Sequence, residues 1–224
     1  MSSVVKNQAS VPDQLRITEI FLSIQGEAAQ VGWPTVFVRL TGCPLRCSYC
    51  DTEYAFHGGV TKSFDEILAD VGQYRVRHVC VTGGEPLARK NCPALLTRLC
   101  DSDYVVSLET SGAFDISGID PRVKRVMDLK TPGSGELERN LMRNLEDLRR
   151  EDALKLVICD RNDYEWARDL IEREKPEKRC DVFFSPSWSE LAPVDLAEWI
   201  LQDALPVRLQ TQLHKVIWGE EPGH

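Results

Sequence analysis

The chain has 224 residues, enough for one large domain with a real core. It carries 27 Lys and Arg against 35 Asp and Glu, a net charge of −8, which speaks against wrapping a nucleic-acid backbone or docking on an anionic membrane. No apolar run approaches the ~18–20 residues that span a bilayer, and residues 1–14 lack the apolar centre of a signal peptide, so the expected location is the cytoplasm. Eight cysteines in a chain that is neither short nor apparently secreted point away from a disulfide framework. Clustered cysteines then suggest metal or catalysis, and scattered ones suggest packing.

In chain order, residues 1–14 read as a loose arm ahead of a single domain that fills the rest of the chain. Residues 16–22 and 35–41, rich in Ile, Val, Phe and Leu, read as strands. A helix is expected over 63–74, opened by a capping box of Ser63 and Glu66. Residues 77–81 form a β-branched run that ends at Thr82-Gly83-Gly84, and 93–100 form a short helix with Leu95, Leu96 and Leu99 on one side. Strands follow at 104–108, ending in Glu109-Thr110-Ser111-Gly112, and at 123–129, ending at Lys130. Leu137, Leu141, Leu145 and Leu148 recur at helical spacing and predict a helix over 136–149. Residues 153–159 read as a buried strand, and Asn162 as the cap of a helix to about 175. Strands at 182–184 and 207–213 flank a helix over 194–203. Strand then helix, repeated, implies an α/β fold with a parallel sheet. About six units in this length favour an incomplete (β/α) barrel over a full eight-fold one. In such folds the chemistry lies at the carboxyl ends of the strands, where the polar and glycine motifs fall here.

The first such motif is Cys43-Pro44-Leu45-Arg46-Cys47-Ser48-Tyr49-Cys50, a C-x3-C-x2-C spacing directly after a strand. A structural zinc site takes four ligands, usually in C-x2-C pairs. Here there are three cysteines with no near fourth, and His57 lies outside the usual spacings. Three thiolates can anchor three irons of a four-iron cluster and leave the fourth iron open to an exogenous ligand. The alternatives are packing, or zinc with a remote fourth ligand. The second motif is Thr82-Gly83-Gly84-Glu85-Pro86 after the next parallel strand, where glycines let backbone approach a ligand and offer it bare N–H and C=O groups.

These two motifs, with aromatic Tyr49 just before the last cysteine, resemble the radical S-adenosylmethionine (SAM) superfamily. The resemblance implies an incomplete (β/α) barrel of the radical SAM type, with a 4Fe-4S cluster on Cys43, Cys47 and Cys50. It implies SAM chelated to the open iron and cleaved by one electron to a 5′-deoxyadenosyl radical. Further segments, Ile24-Gln25-Gly26-Glu27, Phe37-Val38-Arg39, Cys50-Asp51-Thr52, Glu109-Thr110-Ser111-Gly112 and Gln212-Leu213-His214-Lys215, are similar to the 7-carboxy-7-deazaguanine synthase family from about residue 17 to 218. That family converts 6-carboxy-5,6,7,8-tetrahydropterin to 7-carboxy-7-deazaguanine and ammonia, a step toward queuosine. SAM is regenerated, magnesium assists, the enzyme is a homodimer, and a carrier such as a flavodoxin would supply the electron.

Arg39 alternates with Val38 and Leu40, so it is expected to point away from them into a barrel interior, where its planar fork suits a carboxylate. A structural ion pair is the other reading. Glu27 or nearby carbonyls can accept the parallel N–H donors of a pterin edge, although Glu27 also reads as a surface charge. By resemblance, substrate contacts fall on Ile24, Gln25, Gly26, Arg39 and Thr82. SAM contacts fall on Tyr49, Cys50, Asp51, Gly84, then on Asp128, Leu129 and Lys130, where many members read Ser-Pro-Lys, and on Ser185, Pro186, Ser187 and Trp188. Magnesium falls on Thr52, whose hydroxyl is a hard oxygen ligand and otherwise an ordinary turn group. Cys80, Cys92, Cys100, Cys159 and Cys180 lack paired spacing and read as packing residues. A glycyl-radical activating enzyme shares both motifs but acts on a protein, so it has no need of the Gln25-Gly26-Glu27 and Arg39 set.

Overall fold

The computed structural model describes residues 13–221 and 223; most of the predicted N-terminal arm lies outside the described residues. Among the described residues, nine strands form one sheet in the order β3-β1-β2-β4-β5-β6-β7-β8-β9. They are β1 (Gln14–Ile24), β2 (Pro34–Leu40), β3 (Val60–Ser63), β4 (His78–Gly83), β5 (Val105–Thr110), β6 (Lys124–Asp128), β7 (Ala153–Ile158), β8 (Asp181–Pro186) and β9 (Arg208–Leu209). From β2 to β9 every pairing is parallel, while β1 runs antiparallel to both β2 and β3. β3 and β9 are the two ends of the sheet, so the barrel is incomplete, as expected. The antiparallel first strand departs from the purely parallel expectation. Only a short connection links β1 to β2, which suits a hairpin-like return rather than a helical crossover.

The helices are α1 (Phe64–Gly72), α2 (Cys92–Asp101), α3 (Asn144–Asp147), α4 (Arg161–Glu174), α5 (Pro193–Asp203) and α6 (Leu213–Trp218). α1 carries the predicted capping box, with Ser63 and Glu66 bonding reciprocally. Alternation along the strands sorts the side chains into two faces. Val36, Val38, Leu40, Val79, Val81, Val106 and Leu108 face outward into one buried cluster with Leu95, Leu96 and Leu99 of α2. Met127, Leu154, Leu156, Ile158, Val182 and Phe184 face a second cluster with Tyr164, Leu170 and Ile171 of α4. The other face lines the barrel interior, where polar groups such as Arg39, Thr82, Glu109, Asp128 and Lys155 alternate with apolar ones such as Phe37, Val126 and Val157.

Several boundaries differ from the sequence reading. β1 already begins at Gln14, inside the expected loose arm. The cap of α4 is Asp160, whose carboxylate accepts from the Asp163 amide at 2.9 Å, rather than Asn162. The predicted helix over 136–149 is a 3-10 turn, Leu137–Arg139, followed by the four-residue α3. Asn140 bonds both the amide and the carbonyl of Lys130, at 2.9 and 2.8 Å, and Asn144 donates to the Gly112 and Phe114 carbonyls. These polar side chains tie the segment to the ends of β5 and β6, and that competition overrides the leucine spacing. The expected strand over 207–213 shrinks to Arg208–Leu209, because Leu213 already starts α6.

Candidate functional site

A cavity of about 630 Å³ opens at the carboxyl ends of the strands and runs down the barrel interior. Its walls include Cys43, Cys47 and Cys50, so the three thiols of the first motif share one chamber. They sit on the loop after β2, and that loop is pinned on two sides. Arg89 donates to the Thr41 carbonyl through Nε and Nη2, at 3.0 and 2.7 Å. The segment after β6 grips the other side: Ser48 donates to the Ser134 and Gly133 carbonyls, and the Arg46 amide to Glu136 at 2.5 Å.

The glycine motif is stitched to the same loop. The Gly84 amide donates to Leu40 and the Glu85 amide to Gly42. A Cβ on Gly84 would lie 2.5 Å from the Gly42 carbonyl oxygen and 2.7 Å from the Cys43 Cβ, so only glycine permits this approach. Gly83 adopts φ +146° against the Leu40 backbone, again a glycine conformation. Fully buried Glu85 accepts from Leu87, Thr110 and Ser111, joining the motif to the end of β5.

The donor set fits an iron–sulfur cluster. Burial raises the Cys43 thiol and pushes Cys47 up to about 11, with Lys130 partly opposing both; a bound metal would oppose the same shift, because it favours the thiolate form. Among the described residues, no group of three or more His, Cys, Asp and Glu converges on a point that would hold a single ion. Beside the thiols, Tyr49 Oη, Asp128 Oδ1 and Ser187 Oγ are buried with no hydrogen-bond partner among the described residues, and all three residues line the cavity. Such atoms require partners, and a ligand with amino, carboxylate and hydroxyl groups, as SAM is, would supply them. Lys130 lies 5.3 Å above the Tyr49 ring and 3.2 Å from Asp128. Of the expected SAM set, Tyr49, Cys50, Asp51, Gly84, Asp128, Lys130, Ser187 and Trp188 line the cavity. Leu129 is buried in the outer cluster instead, Ser185 donates to the Gln210 carbonyl at 2.8 Å, and Pro186 ends β8.

Arg39 points inward, as its alternation predicted, and lines the cavity with Ile24, Gln25 and Thr82. Its Nε donates to Glu19 at 2.7 Å, and Tyr54 donates to the same oxygen at 2.8 Å. The guanidinium lies over Phe21 and Tyr54, at 5.7 and 5.8 Å from the ring centres. Thus the ion-pair reading is half right: Glu19 holds one edge, while among the described residues no hydrogen bond engages the two Nη groups. Thr52 lines the same chamber, with Oγ1 4.0 Å from Cys50 Sγ and donating to Asp51 at 3.4 Å.

Deeper inside lies a charged group that the sequence reading did not assemble. Glu27 is buried, not a surface charge, and its carboxylate is paired directly with Lys155 of β7. Burial pushes Glu27 up, but the Lys155 ammonium overrides it and holds the carboxyl below its ordinary value. Glu109, at the end of β5, accepts from Thr82 at 3.0 Å and from Gln25 at 3.4 Å. Burial, and after it the Glu27 charge, push Glu109 above the usual carboxylate range. The alternation Leu154-Lys155-Leu156 placed Lys155 on the inward face and was the available signal for it.

The C-terminal segment crosses the mouth. Gln210 bonds both the amide and the carbonyl of Ala28, and the Leu213 amide donates to the Gly26 carbonyl at 3.1 Å. Gly26 does not line the cavity; it makes room for His214, whose Nδ1 would lie 2.0 Å from a Cβ at that position. Burial keeps His214 below its ordinary range and hence neutral at pH 7. Lys215, itself buried, bonds Asp51 at 2.9 Å and holds that carboxyl low against its burial. Cys80, Cys92, Cys100 and Cys180 are buried, as packing predicted, whereas Cys159 is half-exposed at the end of β7.

Comparison with known proteins agrees with this geometry. Residues 37–175 match the Radical SAM superfamily model. The 7-carboxy-7-deazaguanine synthase of Chlorobaculum tepidum is 44% identical over 92% of this chain and 96% of its own, and that of Thermoplasma acidophilum is 38% identical over 92% and 99%. The crystal structure of QueE from Escherichia coli superposes with a TM-score of 0.74 at 25% identity, covering 90% of this chain and 95% of that one. Streptococcus suis SuiB, at 14% identity and a TM-score of 0.54, shares the fold alone. With the three thiols, the glycine motif and these full-length relatives, the chain belongs to the 7-carboxy-7-deazaguanine synthase family of the radical SAM superfamily.

Proposed function

We propose that the chain converts 6-carboxy-5,6,7,8-tetrahydropterin to 7-carboxy-7-deazaguanine with loss of ammonia. The observation that carries this reading is one cavity holding three distinct recognition chemistries. It has a half-engaged guanidinium at Arg39, a buried amide-and-carboxylate group at Gln25, Glu27 and Glu109, and three thiols. The Nη pair of Arg39 suits the substrate carboxylate bidentately, while Glu19 fixes the plane of the fork. Glu27 and Glu109 accept from the 2-amino and ring N–H donors of the pterin, with Gln25 and Thr82 orienting Glu109.

Cys43, Cys47 and Cys50 would hold the 4Fe-4S cluster, and Tyr49, Cys50, Asp51, Gly84, Asp128, Lys130, Ser187 and Trp188 would hold SAM. When bound, the cluster and SAM together supply one-electron radical chemistry at the pterin C6. Lys130 supplies a cation for the SAM carboxylate. Thr52 offers a hydroxyl to Mg²⁺, supported by its position beside Asp51 and the cluster loop. The α6 segment is latched through Lys215 to Asp51, which lines the same cavity.

The family resemblance supports a homodimer, an electron donor such as a flavodoxin, and a cytoplasmic location. Among the described residues no helix is long and apolar enough to cross a membrane. The test is anaerobic reconstitution with iron and sulfide, followed by the carboxy-tetrahydropterin, SAM, Mg²⁺ and a reductant. The expected product is 7-carboxy-7-deazaguanine with ammonia; a brown, SAM-binding protein that leaves this pterin unchanged overturns the substrate assignment.

A further inference from the structure

Lys155 stands between the two halves of the cavity. Its ammonium is paired with Glu27 at the substrate end and lies 4.0 Å from Asp128 Oδ2 at the other. Asp128 and Lys155 are register partners on β6 and β7, so their side chains stand side by side on the inner face. Asp128 is incompletely satisfied: Oδ2 takes Lys130 at 3.2 Å, while Oδ1 is buried with no partner among the described residues. Glu27, in turn, has a second carboxylate, Glu109, in the same buried group. Glu27 and Glu109 on one side and Asp128 on the other thus lie around the Lys155 ammonium, with Lys130 a second cation at Asp128.

We propose that Lys155 is a positioning residue that exchanges between Glu27 and Asp128, so that a pterin taking up Glu27 hands the ammonium to Asp128 and orders the SAM end. The proposal rests on the substrate reading above. In the ligand-free chain Lys155 satisfies Glu27. The N–H edge of a pterin is uncharged, and the carboxylate of the substrate is met separately by Arg39; when that edge supplies Glu27 with hydrogen bonds, the ammonium is free to move a short way within the cavity, whose own total charge is unchanged. The nearest acceptor is Asp128, and a shift of about 1 Å brings a 4.0 Å approach into hydrogen-bond range. A lysine stem with several rotatable bonds makes that move without backbone change. Asp128 with a second cation no longer draws on Lys130, which is left to the SAM carboxylate.

The coupling is reciprocal by thermodynamic linkage: pterin must raise SAM affinity by the same factor as SAM raises pterin affinity. The probes are 6-carboxypterin, a non-reacting oxidised analogue, and SAM, each titrated into cluster-loaded protein with and without the other. The wild type should show a reciprocal gain of roughly ten-fold, within the usual 5- to 150-fold span. Asp128→Asn, which keeps size and hydrogen bonding but not charge, should bring both factors close to one. Lys155→Met should do the same, and Lys155→Arg should restore a measurable part. Should Lys155→Met fail to fold, Asp128→Asn alone decides. Cooperativity retained in Asp128→Asn points to direct contact between the two ligands and overturns the proposal. Pterin binding without cooperativity in the wild type overturns it while leaving the substrate reading intact, and absence of pterin binding overturns both.

Discussion

Replacing Arg39 by lysine separates a substrate clamp from a structural ion pair. In the structure Nε is committed to Glu19 at 2.7 Å, and the side chain is only 13% exposed. The two Nη groups are therefore the part of the fork left for a ligand. Lysine keeps the charge but has one nitrogen, and Glu19 is positioned to take it. A hydrogen bond to a charged group is worth about 1.5–3 kcal/mol, and 1.36 kcal/mol is a factor of ten. Carboxypterin affinity should fall about ten- to hundred-fold, while SAM affinity and iron content stay near wild type. Titration of each ligand separately into reconstituted protein is the assay. Unchanged pterin affinity in a folded variant removes Arg39 from substrate recognition, and loss of both ligands together shows that the Glu19–Arg39–Tyr54 contact is only structural.

Single alanine replacements at Cys43, Cys47 or Cys50 should each abolish turnover and lower iron and sulfide content, measured after anaerobic reconstitution; a full cluster with turnover in any one of them refutes the ligand set. Cys80→Ala and Cys180→Ala remove buried thiols from packing positions and should keep the cluster at some cost in thermal stability, so iron loss matching the first set counts against the assignment. Gly26→Ala drives a methyl group into His214 Nδ1. It should raise KM for the pterin several-fold with little change in Tm, because a side chain rather than backbone has to move; an unchanged KM separates α6 from the substrate site.

The barrel and the cluster loop were legible because both are local. Outward Val38 and Leu40 beside inward Arg39 follow from period two alone, and three cysteines within eight residues need no tertiary information to be read as a set. The charged floor was not legible. Glu27 and Lys155 lie 128 residues apart, and only closure of β7 against the β1–β2 connection brings them together. Nothing in Ile24-Gln25-Gly26-Glu27 distinguishes a buried carboxylate from a surface one. The helix expected over 136–149 failed for a related reason. Its leucine spacing is a local signal, whereas the anchors that break it, Asn140 to Lys130 and Asn144 to Gly112, are contacts with strand ends.

The two carboxylates of that floor should be visible in the pH dependence of stability, with opposite signs. Glu109 is driven up by burial and then by the Glu27 charge, from an ordinary value of 4.5. Between 4.5 and its folded value, the folded protein holds a proton that the unfolded chain has released. Stability from this group is fully present below 4.5 and is lost as pH rises through the folded value. Glu27 is held low by Lys155, so its contribution is present above 4.5 and is lost as pH falls through its depressed value. Glu109→Gln freezes the first site in a neutral state. Urea unfolding of wild type and variant from pH 4 to 9 reads Glu109 together with its coupling to Glu27, because groups that do not feel Glu109 cancel in the difference. The variant's stability relative to wild type should grow as pH rises and then level off once wild-type Glu109 is ionised. A difference that stays flat over the whole range means that Glu109 titrates alike in both states, and the mutual repulsion assigned to the Glu27–Glu109 pair would have to be withdrawn.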